Sequence, residues 1–230
     1  SVTADGAGDV ILNTTNAGSV ILTGTTTAAG NQVTVNSVGN ISGAGLVTAA
    51  TVDLNAATGI VAHLAAATIT ADNSTSGHVD IDNALAGSVT VSTLTTAGGG
   101  TILFENTGAG GVSFGTVSTT TDGSPLNGED DITLSSDGGS LTISTSVTAD
   151  GAGDVILNTT NAGNVILTGT TTAAGNQVTV NSVGSISGAG LVTAATVDLN
   201  ADTGIAANLA ASSITADNST SGDVDIDNAL

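Results

Sequence analysis

The chain has 230 residues, of which 20 are Asp or Glu and none is Lys or Arg, so its formal net charge is −20. Because no cationic side chain is present to neutralise phosphate groups, the composition excludes nucleic acid and anionic lipid headgroups as partners. A hydrophobic fraction of 40% predicts a folded chain. The absence of Cys excludes disulfides. The sequence contains no apolar stretch of about 20 residues that would predict a membrane-spanning helix.

Within residues 1–145, a four-residue motif with apolar residues at its second and fourth positions occurs at ten places along the chain. This alternation predicts β-strands with one buried face, because successive side chains of a strand point to opposite sides. In chain order, the apolar pairs are Val10 and Leu12, Val20 and Leu22, Val33 and Val35, Val52 and Leu54, Val79 and Ile81, Val89 and Val91, Ile102 and Phe104, Val112 and Phe114, Ile132 and Leu134, and Leu141 and Ile143. Glycine-containing pairs between these segments predict tight corners.

A long internal repeat divides the chain. Residues 1–85 align with residues 146–230 at a constant offset of 145, without a gap, and differ at only eight positions. We therefore predict a full repeat at 1–145 and a partial second copy at 146–230, joined as one continuous solenoid rather than as separate globular domains. Such near-identity is typical of a tandem array in which every copy performs the same structural task.

The strand motifs recur at intervals of roughly a dozen residues in most places. This spacing predicts an all-β parallel β-solenoid with roughly 20–21 residues per coil and about seven coils per 145-residue repeat. An array of β-sandwiches is the first alternative, but it would need a core with larger side chains than this chain, with two Phe, provides. A cross-β fibril is the second alternative, because it has the same strand spacing.

Several segments resemble the repeat region of filamentous-haemagglutinin-like bacterial surface proteins. They include GDVILNTT from Gly8 to Thr15, GNQVTVNSVG from Gly30 to Gly39, and the segment from Gly138 to Thr160. The resemblance covers the whole chain and is one of composition and coil pattern. It implies a right-handed parallel β-helix in the shaft of a very large adhesin or matrix protein. It also implies secretion to the bacterial cell surface, directed by a signal outside this sequence.

The densest acidic segment contains Asp122, Glu129, Asp130 and Asp131, together with the only proline, Pro125. Ca²⁺ takes six to eight oxygen ligands, which carboxylates and carbonyl groups supply. The spacing matches neither an EF-hand nor a calcium-binding nonapeptide repeat. Two interpretations therefore stay open, a calcium site and a solvated loop that bulges from the coil, and no other cofactor is predicted.

Some aliphatic side chains fall at positions where alternation places them outside the coil. These residues are Ile11, Ile21, Leu103, Ile156 and Ile166. Exposed aliphatic residues at a regular period predict either a lateral contact between parallel shafts or a covering corner loop.

Asp80 and Asp82 share one outward face, where their like charges repel each other unless a cation bridges them. The alternative is that they keep the solenoid soluble. His63 and His78 are both replaced in the second copy, so we expect ordinary surface histidines rather than metal ligands.

We do not expect an enzyme. The chain has no Lys or Arg to act in a polysaccharide lyase and no Trp or Tyr to stack on a sugar. A glycoside hydrolase uses two carboxylates that face each other across the substrate, whereas Asp130 and Asp131 are adjacent and would point to opposite faces of a strand.

The sequence instead predicts a structural role, as a segment of a giant tandem-repeat extracellular shaft or surface filament. Its partners are then neighbouring copies of the same repeat, which associate end to end and laterally. The alternative is an adhesin module that binds a glycan or a cell receptor, with Ca²⁺ as an assisting ion. Saturable ligand binding distinguishes the adhesin module from the plain shaft.

Overall fold

The structure is a computed structural model that describes residues 1–121, 123 and 129–230. It is all-β, with no helix among these residues. The strands are β1 (Val2–Thr3), β2 (Val10–Asn13), β3 (Val20–Ile21), β4 (Thr26–Ser37), β5 (Ile41–Ser42), β6 (Leu46–Ala56), β7 (Ile60–Asn73), β8 (Val79–Asn83), β9 (Val89–Thr96), β10 (Ile102–Asn106), β11 (Val112–Thr119), β12 (Ile132–Ser136), β13 (Leu141–Ala149), β14 (Val155–Thr159), β15 (Val165–Leu167), β16 (Thr170–Ser182), β17 (Ile186–Ser187), β18 (Leu191–Ala201), β19 (Ile205–Asn218) and β20 (Val224–Asn228).

The strands form one 20-stranded sheet that winds into a solenoid. Strands inside the solenoid pair in parallel with strands of the turns before and after them; β12, for example, lies between β10 and β14. Strands at the two ends, such as β1 and β20, pair with one neighbouring turn. The solenoid has about 11 turns with about 21 residues per turn. This architecture confirms the predicted β-solenoid, and its continuous coil differs from both a sandwich array and a fibril of separate stacked chains.

The core is a column of stacked aliphatic side chains. All ten predicted apolar pairs point inward: Val33 and Val35, for example, are fully buried, whereas Leu12 and Val20 in the first turn are partly buried. Phe104 and Phe114, also fully buried, meet edge to face with their ring centroids 5.2 Å apart. The alternation of the sequence therefore predicted the buried face of each strand.

Buried amides complete the core at the corners. The Asn83 Oδ1 accepts the backbone N–H of Ala66 at 2.9 Å, and the Asn83 Nδ2 donates to the Asn106 Oδ1 at 3.2 Å. The Asn106 Nδ2 in turn donates to the carbonyl oxygen of Gly110 at 2.8 Å. These side chains satisfy backbone groups where the strands end, since an unpaired buried polar group would be costly.

Three ladders of inward side chains run along the solenoid, and we name them A, B and C. Ladder A consists of Leu12, Val35, Leu54, Ala71, Leu94, Val117, Val147, Thr171, Val192 and Leu209; ladder B consists of Val20, Ile41, Ile60, Val79, Ile102, Ile132, Val155, Val178, Val197 and Ile214; and ladder C consists of Val89, Val112, Leu141, Val165, Ile186, Ile205 and Val224. Each ladder marks one face of the shaft.

The 145-residue repeat does not correspond to a whole number of turns. Six steps along ladder B lead from Val20 to Val155, but the residue equivalent to Val20 in the second copy is Val165, on ladder C. Likewise, six steps along ladder A lead from Leu12 to Val147. One repeat therefore spans six turns and one further face, close to the seven coils expected, and equivalent surface residues in the two copies lie on different faces.

Candidate functional site

The outer surface carries nearly all of the charge. Among the described acidic residues only Asp130 is buried, and the others are exposed or half-buried. Alternation explains this placement: Asp53, for example, lies between the buried Val52 and Leu54 and therefore points outward. The acidic side chains lie on all three faces of the shaft.

The acidic row, which we define as Asp80, Asp82 and Glu105, lies on the face of ladder B. Asp80 and Asp82 are two residues apart on β8, and Glu105 is in register with Asp82 on the next turn, about 4.8 Å along the axis. On the previous turn the His63 Nδ1 lies 3.0 Å from the Asp82 Oδ2, with both side chains half-exposed. The row thus stacks like charges with one imidazole at its end.

The environment of Asp80 disfavours its charged form. Burial raises the pKa of Asp80, and the nearby charge of Asp82 raises it further, while His63 lowers it. Sequence reasoning placed Asp80 and Asp82 on one face but missed Glu105 and the imidazole of His63. His63 lies one turn before Asp82, and Glu105 lies one turn after it. A correct assignment of the turn lengths would therefore have placed both residues beside Asp82.

The acidic segment lies at the longest turn of the shaft, which runs from Val117 to Val147. Asp122 lies outside the described residues. Glu129 is half-buried, and Asp130 is fully buried with a φ of 63°. The Thr119 hydroxyl donates to the carbonyl oxygen of Asp130 at 2.8 Å, which anchors the end of this segment to β11.

Asp131 binds the following turn. Its Oδ1 accepts the backbone N–H of Asp154 at 2.8 Å. Burial raises the pKa of Asp131, the hydrogen bond from the Asp154 N–H lowers it, and the negative charge of Asp154 raises it. In the part of the chain that the structure describes, no group of three or more His, Cys, Asp or Glu side chains is placed to hold a metal ion.

The outward aliphatic residues lie on all three faces. Ile11 and Ile21 in the first turns are 63% and 66% exposed and Leu103 is 42% exposed, while Ile156 and Ile166 are half-buried. Ile21, Leu103 and Ile156 lie in one outward row on the face of ladder B. Ile11 lies on the face of ladder A and Ile166 on the face of ladder C. The predicted lateral contact stays a prediction, and the structure adds that these side chains would have to meet neighbouring shafts on more than one side.

A ladder of outward-pointing amides runs along the first copy, with Asn13 exposed and Asn36 and Asn55 half-buried. The Asn36 Nδ2 donates to the Asn13 Oδ1 at 2.8 Å, and the Asn55 Nδ2 donates to the Asn36 Oδ1 at 3.0 Å. The second copy repeats this amide ladder with the same distances in Asn158, Asn181 and Asn200. Because the second copy is rotated, the first amide ladder follows ladder A and the second follows ladder B.

A shallow groove lies beside each amide ladder. In the first copy its volume is about 340 Å³, and Val38 and Ala57 contribute apolar surface to it. In the second copy the volume is about 180 Å³, and Asp202 replaces Ala57 and accepts a hydrogen bond from the Ser219 hydroxyl at 2.7 Å. Both copies therefore have a groove that combines amide groups with apolar side chains.

Comparison of the chain with models of protein families, with curated proteins and with solved structures gives no match. No helix among the described residues is long and apolar enough to cross a membrane. The functional interpretation therefore depends on the arrangement of the chain's own residues.

Proposed function

We propose that this chain is a segment of a tandem-repeat extracellular shaft or surface filament, of the kind that filamentous-haemagglutinin-like surface proteins contain. The observation that carries the proposal is the junction between the copies. Strand β14 of the second copy stacks on β12 of the first in continuous parallel register, as strands of successive turns do within one copy. Copies can therefore add length to the shaft without a new kind of interface.

Backbone hydrogen bonds supply the mechanical connection in this proposal. Across the junction, the N–H of Ile132 donates to the carbonyl oxygen of Asp154 at 2.9 Å, and the N–H of Leu141 donates to that of Asn164 at 2.9 Å. These hydrogen bonds run parallel to the axis of the shaft. A force that pulls on the two ends of the shaft is therefore carried by many such bonds. Stacked aliphatic side chains exclude water from the interior and stabilise each turn on its neighbours.

Solution scattering from chains that contain one, two, three and four copies of the repeat tests the proposal. We expect the length of the particle to rise by about 30 Å per copy, six turns and one face at about 4.8 Å per turn, while its cross-sectional radius stays constant. Separate beads, or a cross-section that grows with copy number, would contradict a shaft. Proteins with two copies joined by a flexible Gly/Ser linker serve as the control, because a flexible joint would break the linear increase.

A second candidate function is an adhesin module that binds a neutral glycan. The observation that favours it is the groove beside each amide ladder, which combines amide groups with apolar surface. A panel of neutral oligosaccharides titrated into the 230-residue chain should then show saturable binding that the double variant Asn36→Ala, Asn181→Ala loses. The double variant Thr90→Ala, Thr142→Ala, which changes outward residues away from both grooves, is the control, and no saturable binding to the unchanged chain would exclude this function.

A further inference from the structure

The charge density along the shaft is high. The chain carries 20 carboxylates and no Lys or Arg, and its turns number about 11. At about 4.8 Å per turn the axis is roughly 50 Å long, so one negative charge falls on roughly every 2.5 Å of axis. Duplex DNA carries one negative charge per about 1.7 Å and holds a condensed atmosphere of counterions. The shaft therefore approaches the charge density of a strong polyelectrolyte.

The rotation between copies spreads this charge around the axis. Asp53 lies on the face of ladder A, and its equivalent Asp198 lies on the face of ladder B. Asp80 lies on the face of ladder B, and its equivalent Asp225 lies on the face of ladder C. A repeat with a whole number of turns would place equivalent charges in straight rows on one side, whereas this repeat places them on successive faces.

The protein supplies almost no positive charge of its own. Among the described residues, one ion pair is present, between His63 and Asp82. Its imidazole carries a positive charge only when it is protonated. Near neutral pH the balancing charge must therefore come from cations in solution. Cations held in this way are released when a ligand brings several positive charges at once, and the release favours binding.

We propose that the shaft binds flexible Lys/Arg-rich polypeptide segments by exchanging its condensed counterions for them, along its whole length rather than at one site. Charge complementarity selects the occupant: each bound Lys or Arg releases a counterion, and a flexible segment can follow the rod on any face. The carboxylates are divided among three faces, so one face carries a charge roughly every 7.5 Å of axis. An extended peptide advances about 3.3 to 3.6 Å per residue, so about every second residue can lie beside a carboxylate. This interaction goes beyond the proposed structural role and depends only on the fold and charge of the chain.

A salt titration tests the proposal directly. Octalysine with a fluorescent label is titrated into the 230-residue chain, and its anisotropy is measured at several NaCl concentrations between about 20 and 100 mM. We expect the logarithm of the affinity to fall linearly with the logarithm of the salt concentration with a slope near −4, a loss of roughly 600-fold over this range. Octaglutamate is the control and should not bind. An affinity that does not change with salt, or no binding at the lowest salt concentration, would overturn the proposal.

Two matched variants distinguish a charged rod from a local site. The first removes the acidic row by Asp80→Asn, Asp82→Asn and Glu105→Gln, and the second removes three dispersed charges by Asp53→Asn, Asp198→Asn and Asp225→Asn. Both variants lower the net charge from −20 to −17, so a rod predicts affinities that agree within about twofold. Loss of binding in the first variant alone would show a local site and overturn the proposal. The salt slope of the unchanged chain remains decisive if either variant does not fold.

Discussion

The two phenylalanines offer the sharpest test of the core. Both rings are fully buried, and they meet edge to face with a centroid distance of 5.2 Å and an interplanar angle of 89°. A buried Phe removes about 150 to 250 Å² from water, which corresponds to roughly 4 to 6 kcal/mol at about 25 cal/mol per Å². Since Ala keeps part of this area, we expect Phe104→Ala and Phe114→Ala each to lower the free energy of unfolding by about 3 to 5 kcal/mol.

The double variant isolates the contact between the rings. Edge-to-face pairs contribute about 0.5 to 1.5 kcal/mol beyond area burial, so the double variant should lose less stability than the sum of the single variants by about that amount. Urea unfolding followed by circular dichroism measures all four proteins of the cycle. A control cycle combines Phe104→Ala with Leu199→Ala. Leu199 lies four turns further along the same face, so the losses of unfolding free energy in these two variants should add.

Two results would refute this reasoning. Losses below about 1 kcal/mol in the single variants would mean that the rings are not in a packed core. Additive losses for Phe104→Ala and Phe114→Ala, equal to those of the control pair, would mean that the two rings do not touch.

Three further predictions concern charge, glycine packing and proteolysis. Asp80→Asn should raise the free energy of unfolding by about 0.5 kcal/mol near pH 7, a small gain because solvent screens the repulsion between the half-exposed Asp80 and Asp82. Because burial and Asp82 raise the pKa of Asp80 in the folded state, stability falls as the pH rises through that pKa. The gain should therefore be absent below the ordinary pKa of Asp, and urea midpoints at neutral and at acidic pH check this sign. Gly100→Ala should lower the unfolding free energy by at least about 2 kcal/mol, since its Cβ would overlap the carbonyl oxygen of Gly77, whereas Gly87→Ala, which has 3.8 Å to its nearest atom, should change it by less than about 0.5 kcal/mol in the same assay. Trypsin should release no specific fragment, as judged by mass spectrometry, because the chain contains no Lys or Arg.

The strands and their buried faces could be predicted from the sequence because burial alternates within each strand. The pairs Val33 with Val35 and Ile132 with Leu134 are fully buried, as their spacing of two residues requires. The small number of aromatic residues also favoured a narrow core of stacked aliphatic side chains over a sandwich. These are local properties of the chain, and no knowledge of the pairing between turns is needed to find them.

The rotation between the two copies could not be predicted from the spacing of motifs. Turn lengths are uneven, since the turn from Leu54 to Ala71 is far shorter than the turn from Val117 to Val147, and dividing the repeat by a mean length therefore conceals the extra face. Some faces also carry no clear apolar motif: the strand β4 starts at Thr26 and covers two faces in one run of 12 residues. The pairing between turns decides such cases.

The candidate site was only partly predictable for the same reason. Outward acidic residues follow from alternation, but the contact of His63 with Asp82 depends on which turns are neighbours. The buried amides of Asn83 and Asn106 were also missed, because Asn by itself indicates a polar surface or a turn. Their burial depends on the backbone groups that the corners leave to be paired.

Electron cryo-microscopy of a chain with several copies tests the central claim most directly. The solenoid predicts strand layers about 4.8 Å apart, and each copy should rise by about 30 Å with a rotation of about one third of a turn relative to the copy before it. A rod with these values would establish both the continuous shaft and the register between copies. Globular beads, or copies that repeat along the axis without rotation, would contradict it.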